Sequence, residues 1–92
     1  MALVTLRVVI AGRVQGVSFR SNMREKAIHH RVDGWVRNSG DGSVEAVLQG
    51  DEVDVSRVLD WARVGPPGAK VSSVVQERLD SCPRQTEFRI AP

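Results

Sequence analysis

TLRVVIAGRVQGVSFRSNMREKAIHHR, residues Thr5–Arg31, is the stretch whose reading decides the fold. It opens with strict alternation. Leu6, Val8 and Ile10 fall on one face and Thr5, Arg7, Val9 and Ala11 on the other, which predicts a half-buried strand over Thr5–Ala11. Gly12–Ser18 reads as a glycine-containing connection. Phe19, Met23 and Ala27 then recur at i, i+4 and i+8 with Ile28 beside them, while Arg20, Arg24 and Arg31 lie off that stripe. The period therefore switches from strand to helix within one segment, and a helix is predicted over Phe19–Arg31.

Downstream, Asp33–Asn38, with Gly34, Trp35 and Val36, reads as a second strand. Ser39-Gly40-Asp41-Gly42 is a turn, with Asp41-Gly42 the pair expected to take positive φ in a tight hairpin. Ser43–Gln49 returns with Val44, Ala46 and Leu48 inward, and Gly50 ends it. Asp51 is an N-cap candidate, and Glu52 and Asp54 complement the positive end of a helix dipole. Val55, Val58, Leu59 and Ala62 form that helix's apolar stripe. Arg63 falls in its last turn, Gly65 takes the C′ position, and Pro66-Pro67 forbid continuation. Val71–Leu79 is a further strand in which Ser72-Ser73 mark a bulge or an edge, and Thr86, Phe88 and Ile90 alternate as a short last strand. The order β-α-β-β-α-β plus a terminal strand predicts an α+β, ferredoxin-like fold. Two helices should cover one face of a mostly antiparallel sheet. That architecture hosts many unrelated activities and leaves function open.

Composition narrows the field. With 92 residues, the chain is read as one domain, residues 1–92, since two would each be too short to bury a core. The apolar run Val8–Gly12 is too short to cross a bilayer, and no basic region followed by an apolar stretch marks a secretory signal. The single cysteine, Cys82, excludes an internal disulfide and a multi-cysteine zinc site, so a reducing cytoplasmic location is expected. A net charge of +2 is too small for a non-specific nucleic-acid binder. RNA-recognition modules of this topology stack bases on aromatics of the central strands. Thr5–Ala11 and Ser43–Gln49 carry none, and the chain has no Tyr. Of the 13 basic residues only Lys26 and Lys70 are lysines. Arginine is the side chain suited to bidentate recognition of phosphate and carboxylate.

One of those arginines stands in a constellation that carries chemistry. Gly12-Arg13-Val14-Gln15-Gly16-Val17-Ser18-Phe19-Arg20 joins the first strand to the first helix. Its glycines allow a sharp turn and close approach to a ligand. Successive amides in such a loop form an anion-binding nest, and the helix behind it adds unpaired N–H groups and the positive end of its dipole. Arg20, in the first turn, can fold its guanidinium over the same anion. The loop lacks the Gly-Lys-Ser/Thr of a P-loop and the glycine spacing of a dinucleotide fingerprint.

The same string resembles the acylphosphatase motif Gly-x-Val-Gln-Gly-Val-x-Phe-Arg, matched at every specified position. Gly34-Trp35-Val36-Arg37-Asn38, followed by Asp41-Gly42-Ser43-Val44-Glu45, resembles that family's strand–turn–strand block. Gly65-Pro66-Pro67-Gly68-Ala69-Lys70-Val71 is similar to its Gly-Pro-x-x-Ala-x-Val segment. The resemblance runs from about Val4 to Ile90 and implies an enzyme that hydrolyses acyl phosphates to a carboxylate and inorganic phosphate. Carried over position by position, it assigns phosphoryl binding to Arg20, the phosphate cradle to the amides of Gln15, Gly16, Val17, Ser18 and Phe19, and positioning of the attacking water to Asn38. It implies a small-molecule acyl phosphate substrate, with no cofactor and no metal. There are two departures. Ser18 stands where an aromatic or Gly is common, and His29-His30-Arg31-Val32-Asp33 replaces a more usual Leu-Gly-Leu-type helix exit.

The chemistry suits this set. An acyl phosphate expels a carboxylate, a good leaving group that needs little protonation. Phosphoryl transfer is mostly positioning and charge stabilisation. An asparagine donates and accepts hydrogen bonds but is no base. The other candidates have plainer readings. His29 and His30 are read as solvated helix-end residues, Cys82 as a structural or surface thiol, Asp41 as turn chemistry, Trp35 and Trp61 as packing, and Arg37 as a surface charge on the sheet face away from Asn38. The alternative reading is a module that binds an acyl or carbamoyl phosphate without turning it over; acylphosphatase-like domains also occur within larger hydrogenase-maturation proteins that handle carbamoyl phosphate. The chain's length favours a free-standing enzyme. A monomer is favoured, with Val71–Leu79 as an edge open to self-association.

Overall fold

The computed structural model describes residues 2–92. Its elements are β1 (Leu3–Arg13), α1 (Phe19–His29), β2 (Asp33–Asn38), β3 (Val44–Asp51), α2 (Glu52–Ala62), β4 (Lys70–Arg78) and β5 (Phe88–Ile90). The strands form one sheet in the order β4-β1-β3-β2-β5. Every neighbouring pair is antiparallel except β2–β5, which is parallel. This is the expected ferredoxin-like α+β architecture, with both helices on one face. Among the described residues no helix is long and apolar enough to cross a membrane.

The inward residues follow the sequence pattern. Val8 and Ile10 of β1, Val36 of β2, and Val44, Ala46 and Leu48 of β3 are fully buried under Phe19, Met23 and Ala27 of α1 and Val55, Val58, Leu59 and Ala62 of α2. Asp51 caps α2 as expected: its Oδ1 accepts the Val53 N–H at 3.1 Å. Strand β1 outruns the predicted Thr5–Ala11 because both of its ends find partners, Leu3 opposite Asp51 and Arg13 opposite Lys70. Strand β4 lies at an edge of the sheet and bulges at Ser72, where the pairing of Ala11 with Ser73 passes directly to Gly12 with Val71.

Local endings differ from the sequence reading. Helix α1 stops at His29, not Arg31, and Ile28, expected beside the apolar stripe, is 55% exposed. The exit is a Schellman turn. Val32 N–H donates to the Ala27 carbonyl (2.8 Å) and Arg31 N–H to that of Ile28 (3.2 Å), which buries Val32. Arg31 therefore holds φ 59°, the left-handed conformation that glycine usually supplies. That conformation costs a non-glycine residue about 1–2 kcal/mol, against an added unfolded-state entropy of about 0.5–1 kcal/mol for glycine. Arg31→Gly is thus expected to stabilise the fold by about 0.5–1 kcal/mol in denaturant unfolding. A lowered midpoint would contradict this account of the exit.

In the turn between β2 and β3 only Gly42 (φ 93°), not the Asp41-Gly42 pair, has positive φ. Gly42 N–H donates to the Ser39 carbonyl and Ser39 N–H to that of Ser43, which makes a longer turn than a two-residue hairpin. Asp41 serves the turn, as expected. Its Oδ1 accepts the Ser43 hydroxyl at 2.6 Å and the Ser43 N–H at 3.0 Å, and these bonds lower its pKa. Gly65 sits beyond the C′ position expected for it, because α2 ends at Ala62 with Arg63 as C-cap. Its service there is close approach. A Cβ on Gly65 would lie 2.8 Å from Phe19 Cε2. Phe19, the first residue of α1, is thereby wedged between Gly65 and Trp61, whose ring centroid is 5.2 Å away. That wedge fixes the helix end that carries Arg20.

On the helix-free face, Ser43, just before β3, and Glu45, Val47 and Gln49 of β3 are also buried, beyond the inward set read from the sequence. Gln49 Nε2 donates to Thr5 Oγ1 at 3.0 Å, and its Oε1 accepts the Gln85 N–H at 2.7 Å. Arg7 and Arg37 reach across to Glu45, each at 2.6 Å. Arg37 does face away from the site, but as an ion-pair partner. Burial pushes the Glu45 carboxyl pKa up, yet the hydrogen bonds and charges of Arg37 and Arg7 outweigh it and hold it below its ordinary value.

Candidate active site

An open cleft of about 430 Å³ lies where the β1–α1 loop meets the end of β2. Gly16, Ser18, Phe19 and Arg20 line it from the loop and the first turn of α1, Asn38 from the last position of β2, and Ile90 from β5. Residues more than a dozen positions apart in sequence thus share one concavity at the N-terminus of a helix.

The loop has the backbone of an anion cradle. Gly16 (φ 74°) and Ser18 (φ 61°, ψ 29°) are both left-handed, with Val17 between them. Ser18 is the N-cap of α1, but its hydroxyl caps nothing, and no acidic residue stands in the first turn. The helix N-terminus therefore keeps its positive end free for an external anion. The Ser18 carbonyl is fixed instead, accepting the Asn22 side-chain amide at 2.8 Å and the Asn22 N–H at 3.2 Å. Arg20 is half-buried and forms no ion pair with a carboxylate among the described residues.

Asn38 completes the cleft. Its Oδ1 is the one side-chain polar atom among the described residues that is buried without a hydrogen-bond partner. A buried amide oxygen left unpaired costs about 1–3 kcal/mol, so an orphan in a cleft is a place where a water or ligand belongs.

Of the residues read from the sequence, Gly16, Ser18, Phe19, Arg20 and Asn38 come together. Gln15 and Val17 do not line the cleft. Val17 packs against the core, and Gln15 turns its side chain to the hairpin, donating from Nε2 to the Ser39 carbonyl (2.8 Å) and the Ser43 carbonyl (3.0 Å). Sequence reasoning misses Ile90. It reaches the cleft because β5 pairs with β2 in the register that sets Ile90 beside Val36, which three alternating residues near the end of the chain do not reveal. The cleft offers no carboxylate, imidazole or thiol, and no group of three or more potential metal ligands occurs among the described residues.

The family model described as acylphosphatase matches residues 6–90. The chain is 45% identical over 93 aligned positions to an acylphosphatase of Pyrobaculum aerophilum, covering 100% of this chain and 98% of that one. Among solved structures, the acylphosphatase from Bacillus subtilis superposes with a TM-score of 0.93 at 31% identity, covering 99% of this chain and 100% of that chain. The acylphosphatase from Coxiella burnetii superposes with a TM-score of 0.91 at 35% identity, covering 97% and 93%. The sequence relatives and the solved folds agree over nearly the full length of this chain and of theirs, and the chain belongs to the acylphosphatase family.

Proposed function

We propose that this hydrolase of acyl phosphates holds the phosphoryl group on the N-terminus of α1 and under Arg20, and directs one water at phosphorus from Asn38. The observation that carries the reading is the unpartnered Asn38 Oδ1 in the cleft shared with Arg20. The amides of Gly16, Ser18 and Phe19 and the Arg20 guanidinium meet the equatorial oxygens, whose charge they stabilise in the transition state. Asn38 Oδ1 accepts one hydrogen of the water and so turns its lone pair toward phosphorus. Bond formation to water and cleavage of the P–O bond release a carboxylate, which leaves as an anion and calls for no general acid. With no side chain in the cleft able to act as a general base, the water's proton passes to a phosphoryl oxygen of the substrate. The donor set also favours metal independence, because the lining holds the cationic Arg20 and no carboxylate, imidazole or thiol.

The same reading takes residues 1–92 as one functional domain and the substrate as a small molecule. The single cysteine suits a reducing cytoplasm. A monomer is favoured by edge strand β4, which carries Lys70, Glu77 and Arg78 and the Ser72 bulge, features that blunt edge pairing. Strands β1 and β3 hold no aromatic for stacking a base.

Inorganic phosphate and sulfate are therefore expected to inhibit competitively and to raise the thermal midpoint in step with their concentration. Turnover of benzoyl phosphate is expected to persist in excess chelator. Loss of turnover that returns with a divalent cation, or anions that neither inhibit nor stabilise, would remove the cradle from the mechanism.

A further inference from the structure

We infer that Gln15 is a positioning residue that sets the distance between the phosphate cradle and Asn38. The inference rests on the water-directing role of Asn38 proposed above and assigns a separate task to a residue outside the cleft. The two halves of the site ride on different elements, the cradle on the β1–α1 loop and Asn38 at the end of β2. Pairing of β1 with β3 stops at Ile10–Val44. Beyond that rung the ladder no longer ties the β1 side of the site to the hairpin. Asn38 is held on its own side, opposite Val44 in the β2–β3 ladder.

The Gln15 amide closes the gap. One Nε2 group donates to the carbonyls of Ser39, next to Asn38 in sequence, and of Ser43, across the neck of the hairpin. Ser39 N–H also donates to the Ser43 carbonyl at 2.8 Å, so Gln15 grips a neck that is already closed. An amide NH₂ carries two donors, and both are spent on this neck. Among the described residues no other side-chain hydrogen bond joins the Gly12–Ser18 connection to the Ser39–Ser43 turn. Glutamine has the reach and the paired donors. Glutamate would bring two acceptors against two carbonyl oxygens, and asparagine is one methylene shorter.

A residue that acts through another reveals itself by non-additivity. The experiment measures kcat and phosphate Kd for wild type, Gln15→Met, Asn38→Ala and the double variant, with benzoyl phosphate as substrate. Methionine keeps the length and volume of glutamine and removes both donors. Gln15→Met is expected to lower kcat roughly ten- to a hundredfold, the scale of a small misplacement of reacting groups, and to change phosphate Kd far less. In the Asn38→Ala background the same substitution is expected to cost almost nothing further in kcat. A multiplicative loss in the double variant would overturn the inference while leaving the role of Asn38 intact. A wild-type rate for Asn38→Ala would overturn both. Should Gln15→Met unfold, Gln15→Ala, which also removes both donors, is measured in the same cycle under the same criterion. If neither variant folds, Gln15 is a structural residue and the inference fails.

Discussion

Arg20→Lys is expected to lower kcat/KM for an acyl phosphate by roughly 10²–10³ and to weaken phosphate binding as well, the scale of removing one preorganised charge-stabilising contact. Lysine keeps the charge, so a purely Coulombic role would survive the change. What is lost is geometry. A guanidinium presents a planar fork to two phosphoryl oxygens at once, whereas an ammonium is a compact point charge on a flexible stem. Arg20 lies in the first turn of α1, behind Phe19, which Trp61 and Gly65 wedge in place. The fork is thus presented from a fixed helix end rather than from a mobile loop. Without an ion pair to a carboxylate among the described residues, Arg20 has no fold-stabilising partner to lose. Circular dichroism and the thermal midpoint should stay at wild-type values. A folded Arg20→Lys enzyme that bound phosphate as tightly as wild type would place the cradle elsewhere.

Much of this site is legible in the amino-acid sequence, and what escapes it has one cause. The switch of period between Ile10 and Met23 locates the loop, and Gly12–Arg20 together with Asn38 carries the family resemblance. Backbone periodicity and motif spacing are local properties, and they succeed where the deciding contacts are local. Gln15 shows the limit. The motif marks it, but whether its side chain faces the ligand or the hairpin depends on carbonyls at Ser39 and Ser43. The same holds for Ile90, which enters the cleft through the register of β5 on β2, and for the burial of Glu45, which two arginines from neighbouring strands cover. At Arg31 the sequence signals a departure without its resolution. The chain keeps the Schellman exit and places an arginine in the left-handed position, because burying Val32 in the core outweighs the strain.

Asn38→Ala separates chemistry from binding most sharply. Its expected signature is a kcat lower by roughly 10²–10³ with phosphate Kd nearly unchanged, because Asn38 touches the water while Arg20 and the loop amides hold the phosphoryl oxygens. Stability should move the other way or not at all. Asn38 Oδ1 is buried with no hydrogen-bond partner, a burden of about 1–3 kcal/mol on the fold. Alanine removes that acceptor and leaves the backbone pairing with Val44 in place. An asparagine kept for structure would predict the opposite, a lowered thermal midpoint with little change in rate per folded molecule. Asn38→Asp supplies the contrasting arm. A carboxylate in the same cleft would repel the phosphoryl group, so phosphate Kd and kcat should both worsen. If folded Asn38→Ala turned over benzoyl phosphate at the wild-type rate, the orphaned oxygen would have no part in directing water. If it lost phosphate affinity as Arg20→Lys should, the two residues would share one task, and the division of labour between cradle and water would be wrong.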